Sequence, residues 1–277
     1  MKIQRTLSES AFLVNESRAR RVDISLDRYA QLWVSDTTKE LWEDFAKKVY
    51  PYDAIELGLR NRFFLDQLRM FIGSVVDPVF VNMGAGFTSY PFLVEEPCRC
   101  IEVDLNYVIE YKQKQIETWI QKGKLPDRRI EYISADLSCA TERKHLQIKL
   151  RSVVHNDLSF ILFEGITYYL NESVLTALFE LCAALQKSGS VLAFDYWDPS
   201  IESNPVFLRL KRFFAERFGY KETSYTLFDS DFIQRMQGYT VVEYSDIQKL
   251  EKRYLPTTLL KKKKEILPEN YVVLKRK

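Results

Sequence analysis

The 277-residue chain is 46% apolar and 14% aromatic with only 9 glycines and 9 prolines, a composition that supports a large packed core and excludes disorder. Its net charge of +2 gives no electrostatic case for nucleic acid or a membrane as partner. The opening MKIQRTLSES lacks a signal core, and no apolar run approaches the roughly 20 residues that span a bilayer, so the expected location is cytoplasmic.

Residues 1–75 read as helical. TTKELWEDFAKKVY (37–50) and RNRFFLDQLRMFIGSVV (60–76) repeat apolar residues every three or four positions. From 79 the pattern alternates strand and helix. VFVNM is a strand, CRCIEV (98–103) a second, and NYVIEYKQKQIETWIQKG (106–123) a helix stopped by Gly123 and Pro126. RIEYISA (129–135) is a third strand, followed by a helix over 141–153. LSFILFEG (158–165) is a fourth strand, apolar throughout as burial on both faces requires. Asn171 is placed to cap a helix running to about Lys187, and SVLAFDYW after Gly189 is the fifth strand. Such alternation indicates a parallel sheet of βαβ units. Beyond Pro199 come an amphipathic helix (205–219), a late helix (229–237) and two strands (239–245, 270–277), with the lysine run 261–264 read as solvated.

The chain is therefore expected to be one α/β domain over 1–277. Its parts are a helical cap (1–75), a cofactor-binding core (79–198), a helical insertion (199–238) and C-terminal strands (239–277). Cys98, Cys100, Cys139 and Cys182, with His145 and His155, complete no zinc pattern; reduced thiols and no metal are expected.

In a doubly wound sheet, ligands bind at the carboxyl ends of the strands. Those ends carry Gly84-Ala85-Gly86, then Asp104, Asp136-Leu137, Glu164 and Asp195. Glycines let backbone approach a ligand closely. Asp104 follows Gly86 at about the 20-residue spacing at which a carboxylate accepts ribose hydroxyls. Asp136 is placed to accept an adenine amine, with Leu137 against the ring. The turn lacks the third glycine of a dinucleotide fingerprint and the lysine of a P-loop, which favours a phosphate-free adenosine such as S-adenosylmethionine.

These residues carry a family resemblance. VFVNMGAGFTSYPFLV, CRCIEVDLNYVIEYK, SADL and FILFEGITYYL, in that order, resemble the successive motifs of the leucine carboxyl methyltransferase family, which includes bacterial O-methyltransferases of polyketide pathways. GLRNRFFLDQLR and SRARRVDISLDRYA resemble its segments before the first strand. The resemblance spans about residues 15–250 and implies a class I methyltransferase (Rossmann-like) fold: a mostly parallel seven-stranded sheet, helices on both faces, and a helical lid. It implies that Gly84 and Gly86 contact the methionine part, Asp104 the ribose, and Asp136 and Leu137 the adenine. Glu164 would lie near the methionine amino group, Arg60 would pair with its carboxylate, and Tyr169 would face the transferred methyl. Two departures stand out. Phe87-Thr88-Ser89 replaces the family's Asp-Thr turn, and Asp27-Arg28 replaces its Asp-Pro.

Neither histidine sits where a general base is needed, which favours a carboxylate, already ionised at neutral pH, or an easily ionised hydroxyl on a small molecule or peptide as acceptor. Tyr168, Tyr169, Tyr196 and Trp197 are expected to wall a water-poor acceptor pocket. Arg18 and Arg62 read as surface arginines. The alternatives are an S-adenosylmethionine-binding protein without turnover and, on weaker grounds, a nucleotide-dependent oxidoreductase. The sequence assigns no oligomeric state.

Overall fold

The computed structural model describes residues 2–154, 157–218, 225–260 and 265–277; the lysine run 261–264 and His155 lie outside them. Seven strands form one sheet: β1 (Val79–Met83), β2 (Arg99–Asp104), β3 (Ile130–Ser134), β4 (Ser159–Phe163), β5 (Val191–Tyr196), β6 (Tyr239–Asp246) and β7 (Asn270–Arg276). Their order is β3-β2-β1-β4-β5-β7-β6. The first five are parallel, and β7 runs antiparallel to both β5 and β6. This is the expected mostly parallel α/β sheet. The chain moves one way from β1 to β3 and the other from β4 to β5, so the crevice opens where β1 and β4 diverge.

The helices are α1 (Lys2–Arg20), α2 (Val22–Ser25), α3 (Asp36–Lys48), α4 (Asp53–Ser74), α5 (Tyr90–Leu93), α6 (Asn106–Gln121), α7 (Ala140–Val154), α8 (Glu172–Leu185), α9 (Pro205–Phe218), α10 (Ser230–Gln234) and α11 (Ile247–Tyr254). Asn171 caps α8 as expected, accepting the Val174 N–H, while Ser35 and Thr38 close a reciprocal capping box on α3. Helix α11 was not among the expected elements. Eight residues, with Asp246 as N-cap, give too short a periodic signal to separate from the strand before it.

Strand alternation sorts the core into two layers. Val79, Val81, Met83, Ile101, Val103, Ile161 and Phe163 face α7 and α8. Phe80, Cys100, Phe160 and Leu162 face α4, whose Leu59, Phe63, Phe64, Leu68 and Ile72 are buried, together with Ile247 and Leu250 of α11. A third cluster joins α1, α3 and α9 through Leu13, Leu41, Phe45, Phe213 and Phe214, with Tyr168 and Trp197 at its base. It stands over the carboxyl ends of the strands and makes the roof of the crevice.

Candidate active site

A cavity of about 360 Å³ lies beneath this roof. Its walls include Arg60, Gly84, Gly86, Asp104, Asp136, Leu137, Glu164 and Tyr169. Asp195 is not in the wall but directly behind it, where its carboxylate accepts the Gly165 N–H at 2.8 Å.

The first turn is shaped by glycine. Gly84 and Gly86 have φ of +72° and +45°, and a Cβ on Gly84 would lie 2.4 Å from Ile166 Cδ1. Asp104 binds this turn to β2: its two oxygens accept the Gly86 and Leu105 N–H groups, each at 2.7 Å. Burial pushes its carboxyl above the usual range, against the two N–H groups and the Lys112 charge. Asp136 accepts the Ser138 N–H and hydroxyl, and Leu137 is buried beside it.

The altered turn is fully built into the fold. Thr88 Oγ1 accepts from Asn82 of β1 at 2.8 Å and donates to the Ala85 carbonyl. Phe87 stacks on Phe12 of α1 with ring centroids 4.4 Å apart and also packs on Trp33. The residue that breaks the family pattern thus fastens the N-terminal helix to the glycine turn.

Opposite lies a charged cluster. Arg60 of α4, 2% exposed, donates from Nε to Glu164 at 3.0 Å and from Nη1 to Asp195 at 3.1 Å and Glu269 at 3.2 Å. Burial opposes its charge, but Glu269 and the other partners outweigh burial and hold its pKa well above the ordinary value. Its Nη2 has no hydrogen-bond acceptor among the described residues and lies 3.2 Å from where a Cβ on Gly165 would stand. Glu164 also accepts from Tyr90 at 2.6 Å. Asp195 is pushed well up by burial, then by the neighbouring Glu269.

Arg18 corrects the surface reading given to it. It is 1% exposed, lines the cavity, lies 3.8 Å from Glu164, and donates to the Phe87 carbonyl at 3.2 Å. Its Nε and Asp27 Oδ2, 3.7 Å apart, are buried without hydrogen-bond partners. The available signal was the apolar spacing of α1, which puts Arg18 on the same inward face as Val14 and Ala11. Arg62, by contrast, is a surface arginine paired with Asp66 at 3.0 Å.

The aromatic wall also needs correction. Tyr168 and Tyr169 line the cavity, but Tyr196 and Trp197 do not. Tyr196 lies on the other side of the sheet, stacked on Phe228, because successive strand residues alternate faces. Trp197 stacks behind Tyr168, with ring centroids 3.9 Å apart and ring planes nearly parallel at 5°. The missing wall comes from Val14 of α1 and Phe214 of α9.

This cavity fits an adenosine cofactor without phosphates. A glycine turn that a Cβ would fill, a half-buried carboxylate at the end of β2, and an arginine nitrogen left open at the Glu164 end are complementary to a sugar and an amino-acid group. Among the described residues no cluster of three or more metal-ligating side chains occurs, and no helix is long and apolar enough to cross a membrane.

Comparison with known proteins agrees with this geometry. The sequence model of the leucine carboxyl methyltransferase family matches residues 11–183. No curated protein matches the chain. Among solved structures, it is similar to a DUF574 family protein from Streptomyces avermitilis, at 13% identity and TM-score 0.64 over 97% of each chain. It is also similar to an O-methyltransferase family protein from Burkholderia thailandensis (11%, TM-score 0.50, 95% of this chain and 71% of that one). A third, magnesium protoporphyrin IX methyltransferase from Synechocystis with bound S-adenosylhomocysteine, matches at 10% identity and TM-score 0.51 over 95% of this chain and all of that one. At such identities the likeness is one of fold, the Rossmann-like class I methyltransferase fold.

Proposed function

The chain belongs to the leucine carboxyl methyltransferase family and is an S-adenosylmethionine-dependent methyltransferase; from that premise we propose that it methylates oxygen, on a carboxylate or hydroxyl of a small-molecule or peptide acceptor. The observation that carries the reading is the convergence of five strand ends and Arg60 on or directly behind one cavity. Bound S-adenosylmethionine supplies an electrophilic methyl group on a sulfonium sulfur.

The chain's own residues supply placement. Asp104 accepts the ribose hydroxyls while Gly84 and Gly86 let the backbone approach the methionine part. Asp136 receives the adenine amine and Leu137 packs on the ring. Glu164 accepts from the methionine ammonium, and Arg60, through its open Nη2, together with Arg18, pairs with the carboxylate. Tyr169, which forms an edge contact with Tyr168 at 4.8 Å, borders the acceptor's approach with Phe214 and Val14 and keeps water out. Holding the nucleophile in line is the main requirement for displacement at a sulfonium carbon. The described wall has no histidine or lysine, which suits an acceptor that arrives ionised, a carboxylate above all.

Calorimetry with S-adenosylhomocysteine and with NAD separates the readings. Binding of the first alone is expected; folded protein that ignores S-adenosylhomocysteine would sink the proposal. Turnover is followed by S-adenosylhomocysteine release with candidate acids and phenols, and a base-labile methyl product identifies an ester. Cofactor binding with no turnover on any acceptor would instead identify a silent binding protein.

A further inference from the structure

Glu269 lies well beyond residues 11–183, which match the family, and has no part in the roles above. It reaches the crevice because β7 runs antiparallel to β5. Asp195 pairs with Tyr271 and Tyr196 with Asn270, so the start of β7 meets the carboxyl end of β5. Glu269, one residue earlier, is buried and accepts from Arg60 Nη1 at 3.2 Å. The fully buried Tyr271 holds its other oxygen, donating to Oε2 at 3.0 Å.

A guanidinium carries five N–H groups in one plane. In Arg60, Nε serves Glu164 at 3.0 Å, and the two N–H groups of Nη1 meet Asp195 at 3.1 Å and Glu269 at 3.2 Å, with the Tyr168 hydroxyl 3.5 Å away. The two that remain are both on Nη2. That nitrogen faces Gly165, a residue of the cavity wall with no side chain to cover it. Of the neighbours that favour the Arg60 charge against burial, Glu269 contributes most.

We propose that Glu269, itself aimed by Tyr271, is a positioning residue for cofactor binding: it fixes the Arg60 guanidinium in the plane that presents Nη2, past Gly165, to the carboxylate of the methionine part. The inference rests on the placement of S-adenosylmethionine given above. It brings the antiparallel C-terminal strand into the site by its first end, which the rule of carboxyl strand ends passes over.

The test compares two ligands by calorimetry: S-adenosylhomocysteine, and 5′-methylthioadenosine, which keeps the nucleoside and thioether but lacks the amino-acid group. Wild type should prefer the first. Folded wild type that ignores S-adenosylhomocysteine refutes the cofactor reading and this proposal with it, whereas equal affinity for the two ligands overturns the proposal alone. In Glu269→Gln, S-adenosylhomocysteine should bind roughly five- to thirtyfold more weakly, as when a charge-assisted hydrogen bond is misplaced, with 5′-methylthioadenosine within about twofold of wild type. Charge alone predicts the opposite sign, because removing a carboxylate beside Arg60 favours an incoming one. A selective loss therefore reports position. Equal losses for both ligands, or unchanged or tighter S-adenosylhomocysteine binding, overturn the proposal. If Glu269→Gln does not fold, Tyr271→Phe decides, since it keeps the ring and the Glu269 charge and removes only the hydroxyl that aims it. A selective loss of about two- to fivefold is expected, and an unchanged ratio between the two ligands overturns the proposal.

Discussion

In the proposed assignment, the cofactor end of the cavity is built from strand ends and the acceptor end from helices, and the two are held together by different forces. At the cofactor end, polar groups sit at the ends of the central strands. Asp104 clamps the glycine turn at 2.7 Å, and Arg60 ties α4 to the ends of β4 and β5 and to Glu269, just before β7. At the acceptor end, Val14, Phe214 and Tyr169 meet only because α1 and α9 pack over the sheet through Phe45, Phe213 and their neighbours. Cofactor chemistry is common to many acceptors and calls for fixed polar geometry; acceptor choice depends on apolar shape, which helices supply with few constraints.

The largest expected effect tests whether the cofactor end is as rigid as its charges imply. Arg60→Met removes the cation shared by Glu164, Asp195 and Glu269, leaving buried carboxylates without it. Breaking buried pairs from one side costs about 3–5 kcal/mol, so thermal unfolding should shift strongly downward and S-adenosylhomocysteine binding should vanish. A variant with wild-type Tm would mean that the cluster is not the keystone of this end. Next comes Asp104→Ala, expected to weaken S-adenosylhomocysteine by roughly tenfold to a hundredfold, the value of a charge-assisted hydrogen bond of about 1.5–3 kcal/mol. Retained affinity would place the ribose elsewhere.

The same division explains what the sequence made legible. Strand ends are set by local pattern, so Gly84, Gly86, Asp104, Asp136, Leu137 and Glu164 were all named from spacing, and all line the cavity. Arg18 was read as a surface arginine, but its guanidinium turns inward to the Phe87 carbonyl, a contact with a residue distant in sequence. Tyr196 was misplaced by one residue of strand alternation, and Phe214 was covered only by the expected amphipathic helix 205–219, with no site role given to it. Both depend on tertiary arrangement, which periodicity does not encode.

A third test addresses the anchor of the acceptor end. Asp53, at the start of α4, accepts hydrogen bonds from Ser17 of α1 and Tyr50, and Ser17 accepts from Trp42 of α3 at 2.8 Å. Burial raises its carboxyl from 3.8 to about 6. Between those values the folded protein holds a proton that the unfolded chain has lost, so stability falls as pH rises from about 4 to about 6 and stays lowered above. Asp53→Asn abolishes this dependence. Its Tm relative to wild type should therefore climb across that window, by an amount equivalent to about 2 kcal/mol. A constant difference would show that Asp53 does not titrate there and that the roof is not fastened by a costly charge.

The smallest effect is the most discriminating. If the two ends are separable, Phe214→Ala should leave S-adenosylhomocysteine affinity within about twofold of wild type, while raising KM for any acceptor found by roughly three- to tenfold. That corresponds to about 1 kcal/mol of lost apolar contact. Phe214 is buried in the cluster of α9 and α3, so truncation also opens a cavity and should lower Tm modestly. The informative quantity is the split. Loss confined to KM locates the acceptor against α9, whereas an equal loss in cofactor affinity would show that α9 closes on both ligands at once. In that case the roof, not the strand ends alone, would set the geometry of the bound cofactor, and the contrast between the two ends would give way to a single coupled site.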